Sequence, residues 1–308
     1  MTRLLIALAM MGAIGAERGP RQSPVEPARQ LSIAAVAVDR DGMPVLDLRL
    51  EELEVWINGY RVPIETLTAV TPGHDQAGGR SIVLFLDDVT LQPAVVPRAR
   101  DAARRVVDRM SPGDQITIVT LNGEFMESTA DRARLLQRLN AYNTRATGVM
   151  RIDTLGEHVL KTVAAISRQL AETSERKKTV VAIGSAWLFD TPIPPPTIGR
   201  DLRPEWTDAM RAMAFANVTL YVIDPGGVGT SPTFSGSSGF ARETGGHTFA
   251  NTNDVNSAAD RIMSEAGSYY VIRVADPPVG RKADLRELDV RVLRRGITVR
   301  ARRAIPGR

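Results

Sequence analysis

SIVLFLDD, residues 81–88, is the stretch on which the fold turns. SIVLFL is a near-continuous apolar run, the pattern of a central parallel strand buried on both faces, and it ends abruptly on two carboxylates. Downstream, residues 93–110 predict a helix with Ala99, Ala102, Ala103, Val106 and Val107 on one stripe. The turn Ser111-Pro112-Gly113-Asp114 leads into a second strand over 115–121 (QITIVTL). The alternation continues with helices over 131–141 and 153–172, a strand over 178–183 (KTVVAI), and a helix over 203–217. It closes with a strand over 218–223, a short edge at 248–250, and a last helix over 254–266. Strands spaced by helices argue a doubly wound, mainly parallel α/β sheet with helices on both faces, occupying residues 78–267.

The flanks read differently. Residues 29–70 carry a β-branched run over 31–38, the turn Asp39-Arg40-Asp41-Gly42, and Val55-Trp56-Ile57-Asn58-Gly59-Tyr60-Arg61-Val62. Asn-Gly between apolar alternations supplies the two positive φ angles of a tight hairpin. Residues 71–80 (TPGHDQAGGR) are a linker. In the tail, 268–305, a strand over 269–274 is followed by two alternating runs. Leu288, Val290 and Val292 interleave with Asp289 and Arg291, and Ile297, Val299 and Ala301 with Thr298, Arg300 and Arg302. Gly296 marks the turn between these runs, and period-2 alternation places the arginines on a solvated face. Isolated hairpins are marginal in water, so the two flanks are expected to pair into one small β-domain with the α/β unit inserted between its halves.

The N-terminus has Arg3 and then LLIALAMMGAIGA over 4–16. At about 1.5 Å per residue this run falls short of a bilayer core of about 30 Å, so 1–16 reads as a signal peptide rather than an anchor. Residues 17–28 form a polar, Pro-containing linker, and no other run is long enough to span a membrane. The mature chain is therefore expected to be secreted or periplasmic, with no membrane span.

Composition closes off several chemistries. The 308 residues contain no Cys, which excludes disulfides, thiolate catalysis, Cys-ligated zinc and iron–sulfur clusters. Three histidines, His74, His158 and His247, lie far apart in sequence and argue against a His-rich metal site. A net charge of +4 gives little support to nucleic-acid binding, and none is expected. The arginines 291, 294, 295, 300, 302 and 303 are read as the outer face of the last strands, with a polyanion surface as the alternative. No phosphate-binding glycine motif follows a strand, and Gly226-Gly227-Val228-Gly229 reads as part of a surface loop. Ser185 follows a central strand but lacks the G-x-S-x-G elbow.

The run SIVLFLDDVTLQP (81–93) resembles the first strand and following loop of a von Willebrand factor type A (VWA) domain. ARETGGHTFANTNDV (241–255) followed by GSYYVIRV (267–274) is similar to the C-terminal half of an exported bacterial VWA-related family. The segment VAVDRDGMPVLDLRLEELEVWINGYRVPIETL (36–67) is similar to that family's leading β-segment. The resemblance spans residues 31–305. It implies the strand order 3-2-1-4-5-6 and ligand docking at the C-terminal edge of the sheet.

The resemblance also implies Mg²⁺ held by Asp-x-Ser-x-Ser, a loop threonine and a later aspartate. Such a hard ion wants carboxylate and hydroxyl oxygens, with a partner's carboxylate completing the shell. Asp87 stands at the first position, but Val89 and Leu91 stand at the two serines. A frame starting at Asp88 offers Thr90 and Gln92 instead. The loop threonine is expected near 148–150 at Val149, with Thr147 or Thr144 as alternatives, ahead of Asp153; Gly184 and Ser185 fill the place of the later aspartate. Asp87, Asp88 and Thr90 are thus the remaining metal candidates of a degenerate site, and no cofactor is expected beyond Mg²⁺ there. One of the two aspartates is alternatively expected to cap the next helix.

These readings predict an exported, non-enzymatic VWA-like interaction or adhesion module that binds a protein partner. The partner-binding candidates are Thr90, Gln92, Met150, Asp153, Ser185, Trp187, Phe189 and Ile198. The last three belong to a bulky and Pro-rich stretch, with Trp206 just beyond it. The rival readings are a secreted serine hydrolase that uses Ser185 with His247 or His158, and a structural envelope component. The ligand and the oligomeric state stay open.

Overall fold

The computed structural model describes residues 30–71, 79–144, 152–173, 177–185, 201–229, 237–276 and 285–307. In chain order the first strands are β1 (Gln30–Val38), β2 (Leu53–Ile57), β3 (Tyr60–Val62), β4 (Ile64–Val70) and β5 (Arg80–Leu86). Then come α1 (Val96–Asp108), β6 (Gln115–Thr120), β7 (Phe125–Thr129), α2 (Arg132–Ala141), α3 (Ile152–Ala171) and β8 (Lys177–Ile183). Next are α4 (Arg203–Ala216), β9 (Val218–Ile223), α5 (Ser237–Glu243), β10 (Thr248–Phe249) and α6 (Val255–Gly267). The last strands are β11 (Tyr269–Ala275), β12 (Leu285–Val292), β13 (Thr298–Ala301) and β14 (Ala304–Pro306).

The central sheet has the order β10-β9-β8-β5-β6-β7. Every neighbouring pair is parallel except β6 with β7. Numbered from β5 in chain order, this is the arrangement 3-2-1-4-5-6. Apolar side chains on both pleats explain the burial of β5 and β9, since each face meets a helical layer. Ile82, Leu84 and Leu86 pack with α1, α2 and α6 on one face. Val83 and Phe85 pack with α3 and α4 on the other. Trp206 packs into this second core, its ring 5.0 Å from that of Phe240, instead of joining an exposed patch.

The flanking strands form two four-stranded sheets, β13-β1-β11-β4 and β14-β12-β2-β3. N- and C-terminal segments interleave in both: β1 pairs with β11 and β13, and β2 pairs with β12. Ile33, Val55, Ile57, Tyr270, Ile272 and Leu288 belong to one buried cluster shared by the two sheets. Asn58 and Gly59 take φ of 50° and 78°, and Ile57 pairs with Tyr60 across the hairpin turn they make.

Several details differ from the expectation. The helix expected over 93–110 starts only at Val96, after a single 3-10 turn at Pro93–Val95. Its N-cap is Val95, with no side-chain cap, so neither Asp87 nor Asp88 caps it. Arg300 and Arg302 do not face water: Arg300 pairs with the buried Glu265 of α6 at 2.5 Å, and Arg302 donates to the carbonyls of Ala214 and Ser32. The reason is that the outer side of β13 is covered by the α/β unit, so its second pleat meets protein. Arg291 does face outward, over the Trp56 ring at 4.8 Å.

Because β5, β6, β8 and β9 are parallel, their C-terminal ends, Leu86, Thr120, Ile183 and Ile223, line one edge.

Candidate functional site at the C-terminal edge of the central sheet

Main-chain hydrogen bonds run one residue past the strands at this edge. Asp87 N donates to Ile183 O at 3.0 Å, Leu121 N to Leu86 O at 2.8 Å, and Gly184 N to Ile223 O at 3.0 Å. Asp224 N likewise donates to Phe249 O at 2.8 Å. The loops therefore leave from fixed positions.

Asp87 stands at the centre and is fully buried. Its Oδ1 accepts from Val89 N at 3.1 Å and Thr90 N at 2.8 Å. Its Oδ2 accepts from Ser185 N at 3.1 Å and from the Thr90 hydroxyl. Its own carbonyl accepts from the Tyr142 hydroxyl at 2.7 Å. Among the described residues four donors thus bind this carboxylate and tie the loop after β5 to the loop after β8. Gly184 makes this approach possible: it sits at φ +151°, and a Cβ there would lie 2.1 Å from Asp87 Cβ.

Adjacent residues of an extended chain point opposite ways, and Asp88 turns toward β6. It is 2 % exposed, and its Oδ1 accepts from Asn122 N at 2.9 Å. The Thr144 hydroxyl donates to Asp88 O at 3.3 Å. Asp224, which sequence reasoning missed, directly follows β9 with 1 % exposure. It accepts from Gly226 N at 2.9 Å and from the Ser185 hydroxyl at 3.2 Å. Its signal was present in VTLYVI-Asp, the same pattern as SIVLFL-Asp: an acid directly after an apolar strand. Burial raises the Asp224 carboxyl pKa, against the hydrogen bonds and nearby Arg98. Arg98 reaches across from α1 to the carbonyls of Gly226 and Thr252. The Tyr142 hydroxyl is also pushed up, by burial first and then by the charges of Asp87 and Asp88.

The structure brings together Asp87, Thr90 and Ser185 from the expected set, with Asp88 beside them. Gln92 is exposed just before the 3-10 turn. Asp153 lies in the first turn of α3, its side chain outside the described residues. Met150, Trp187, Phe189 and Ile198, and with them Thr147 and Val149, lie outside the described residues. The Ser185 hydroxyl bonds to a carboxylate rather than to an imidazole. His158 Nε2 sits 2.6 Å from Leu121 O, and the His247 ring meets Phe249 edge-on at 4.8 Å.

Among the described residues the donor set does not fit Mg²⁺. Both Asp87 oxygens are occupied by N–H and O–H donors, and the two serine positions hold hydrocarbon. Leu91 is buried in the core on one face of the sheet, and Val89 packs against the core on the other. Among the described residues, no three acidic or imidazole side chains gather as metal ligands. None of the described helices is long and apolar enough to cross a membrane.

No family model matches the chain, and no curated protein matches it. Solved structures similar to it include an aerotolerance-related membrane protein from Bacteroides fragilis, at 15% identity and TM-score 0.41, covering 61% of this chain and 98% of that one. Proximal thread matrix protein 1 from the mussel byssus is 14% identical at TM-score 0.41, covering 68% of this chain and 50% of that one. The manganese-loaded TRAP protein of Plasmodium vivax is 11% identical at TM-score 0.41, covering 77% of this chain and 96% of that one. Likenesses of this size leave the fold resting on the strand order and register described above.

Proposed function

We propose that the chain is an exported, VWA-like interaction module that docks a protein partner on the C-terminal edge of its central sheet without a shared metal ion. The observation that carries this reading is the Asp87 carboxylate, held by four described protein donors where the resemblance would put a cation. Those bonds pre-organise the loops after β5 and β8, which lowers the ordering cost of docking. Around them Gln92, Asn122, Asn143, Ser185 and Val228 form an exposed rim. The flanking sheets are, in this reading, one small β-domain that carries the α/β unit as an insertion, which their interleaved pairing supports. Export rests on the Arg3-led apolar run at the N-terminus.

The test is photo-crosslinking in the native host, with a photoreactive residue at Gln92 or Asn122 and, as control, at the exposed Leu293 of the flanking unit. Adducts of defined mass from the rim, retained in EDTA, are the expected result. Equal adducts from all three positions, or adducts that vanish in EDTA, would overturn the reading.

A further inference from the structure

Asp88 does not share the network of Asp87. It lines a cavity of about 80 Å³ whose other walls include Thr120, Glu124, Arg138, Tyr142 and Asn143. Its Oδ1 is taken by Asn122 N, and Oδ2 has no hydrogen bond among the described residues. A carboxylate buried to this degree needs a donor on each oxygen. Glu124 is held by Arg138, so the wall carries one net negative charge, that of Asp88. The volume is that of about two or three water molecules. Its lining residues carry acceptor oxygens: the Asp88 carboxylate, the Thr120 hydroxyl, which also accepts from Glu124 N at 3.1 Å, and the Tyr142 oxygen, whose proton is directed to Asp87 O. One negative charge, a nearby guanidinium and too few free oxygens disfavour a divalent ion, which wants six oxygen ligands or more. Three acceptor-bearing side chains in the lining match in number the three N–H donors of an ammonium group.

We infer that this cavity anchors the partner by taking a lysine ammonium, so that the docking face of the partner is cationic. The inference rests on the docking reading above and gives it a sign. Where a VWA site holds a metal, a partner carboxylate completes the shell. Among the described residues the edge carries three buried carboxylates, Asp87, Asp88 and Asp224. Replacing a cation by N–H donors reverses the charge the partner must bring.

The probes are acetyl-tetralysine amide and acetyl-tetraglutamate amide, titrated into isotope-labelled full-length protein and followed by backbone NMR shifts. Tetralysine in EDTA is expected to shift Thr120, Asn122 and Asn143 saturably. Asp88→Asn keeps the acceptor for Asn122 N and is expected to weaken this binding about tenfold, the difference between a charged and a neutral hydrogen bond. Asn143→Asp, on the exposed rim, is expected to tighten it. Tetraglutamate shifting the same residues in Mg²⁺ would overturn the cationic partner while leaving edge docking intact. Methylammonium shifting the cavity when tetralysine does not would reduce it to a small-cation cavity and overturn the partner anchor. No shift at the edge with any probe overturns the lysine anchor, and the rim crosslinks then decide separately whether docking itself stands.

Discussion

Replacing Asp87 with alanine removes the acceptor of four hydrogen bonds at once: Val89 N at 3.1 Å, Thr90 N at 2.8 Å, Ser185 N at 3.1 Å, and the Thr90 hydroxyl. Hydrogen bonds to a charged group are worth about 1.5–3 kcal/mol each. Val89, Thr90 and Ser185 are partly open to solvent, so water recovers part of that, and about 1 kcal/mol per bond is a fair remainder. The expected loss is about 3–4 kcal/mol, or a fall of about 10 °C in the thermal midpoint for a unit of this size. The assay is thermal and urea unfolding of the purified protein, in EDTA and in millimolar Mg²⁺. A bound ion would stabilise the native protein by mass action and would make the Asp87→Ala loss depend on Mg²⁺. The protein-donor network predicts the same loss in both buffers. A loss confined to the Mg²⁺ buffer, or one below about 1 kcal/mol in EDTA, would refute the reasoning.

Three further outcomes are expected. Gly184→Ala puts a Cβ 2.1 Å from Asp87 Cβ at a φ of +151°, so it should cost about 3 kcal/mol and shift the amide resonances of Asp87 and Ser185. Arg105 and Arg109 hold the Asp260 carboxyl down to about 2, so the folded pKa lies below the ordinary 3.8. Their α1–α6 clasp is therefore fully present above about pH 4 and is lost as pH falls toward 2; acid titration of Asp260→Asn should show a flatter limb in that window. Arg300→Met removes the 2.5 Å partner of the buried Glu265 and leaves it the longer Arg261 contact at 3.7 Å, so it should cost about 2–4 kcal/mol in urea unfolding. Adding Glu265→Leu should return most of that loss, because the buried carboxylate is then gone and Arg261 can turn to solvent.

The central sheet was legible because its parallel strands are buried on both faces and read as apolar runs: SIVLFL, QITIVT and VTLYVI leave little choice. β7 was not. Phe125, Glu127 and Ser128 of this edge strand are exposed, so its sequence, FMEST, lacks both an apolar run and clean alternation. α5 is short and was likewise unread. The Asn58-Gly59 hairpin was plain because its two positive φ angles restrict the residue choice to few types. Arg300 and Arg302 misled for a definite reason: alternation shows that a strand has two unlike faces, but not whether the polar one meets water or a helix carrying Glu265. At the site, Asp87 was legible as the start of a ligand motif. The part played by Asp224 was not, since it depends on β9 lying next to β8.

On the proposed reading, the loop after β5 keeps the frame of a metal site without the ion. Positions 89 and 91 would have to turn oxygens toward a cation, yet Leu91 is drawn into the core under α1 and Val89 against the core under α3 and α4. Hydrocarbon at both positions pins the loop to the two faces of the sheet. The main-chain N–H groups of residues 89, 90 and 185 are then left converging on Asp87. Carboxylate–amide bonds replace carboxylate–cation bonds and hold nearly the same strand ends together. The difference is electrostatic: amide dipoles neutralise a carboxylate only in part, whereas a divalent ion would overcompensate it. If the edge keeps a negative sign in this way, as proposed, the partner selected on it is cationic.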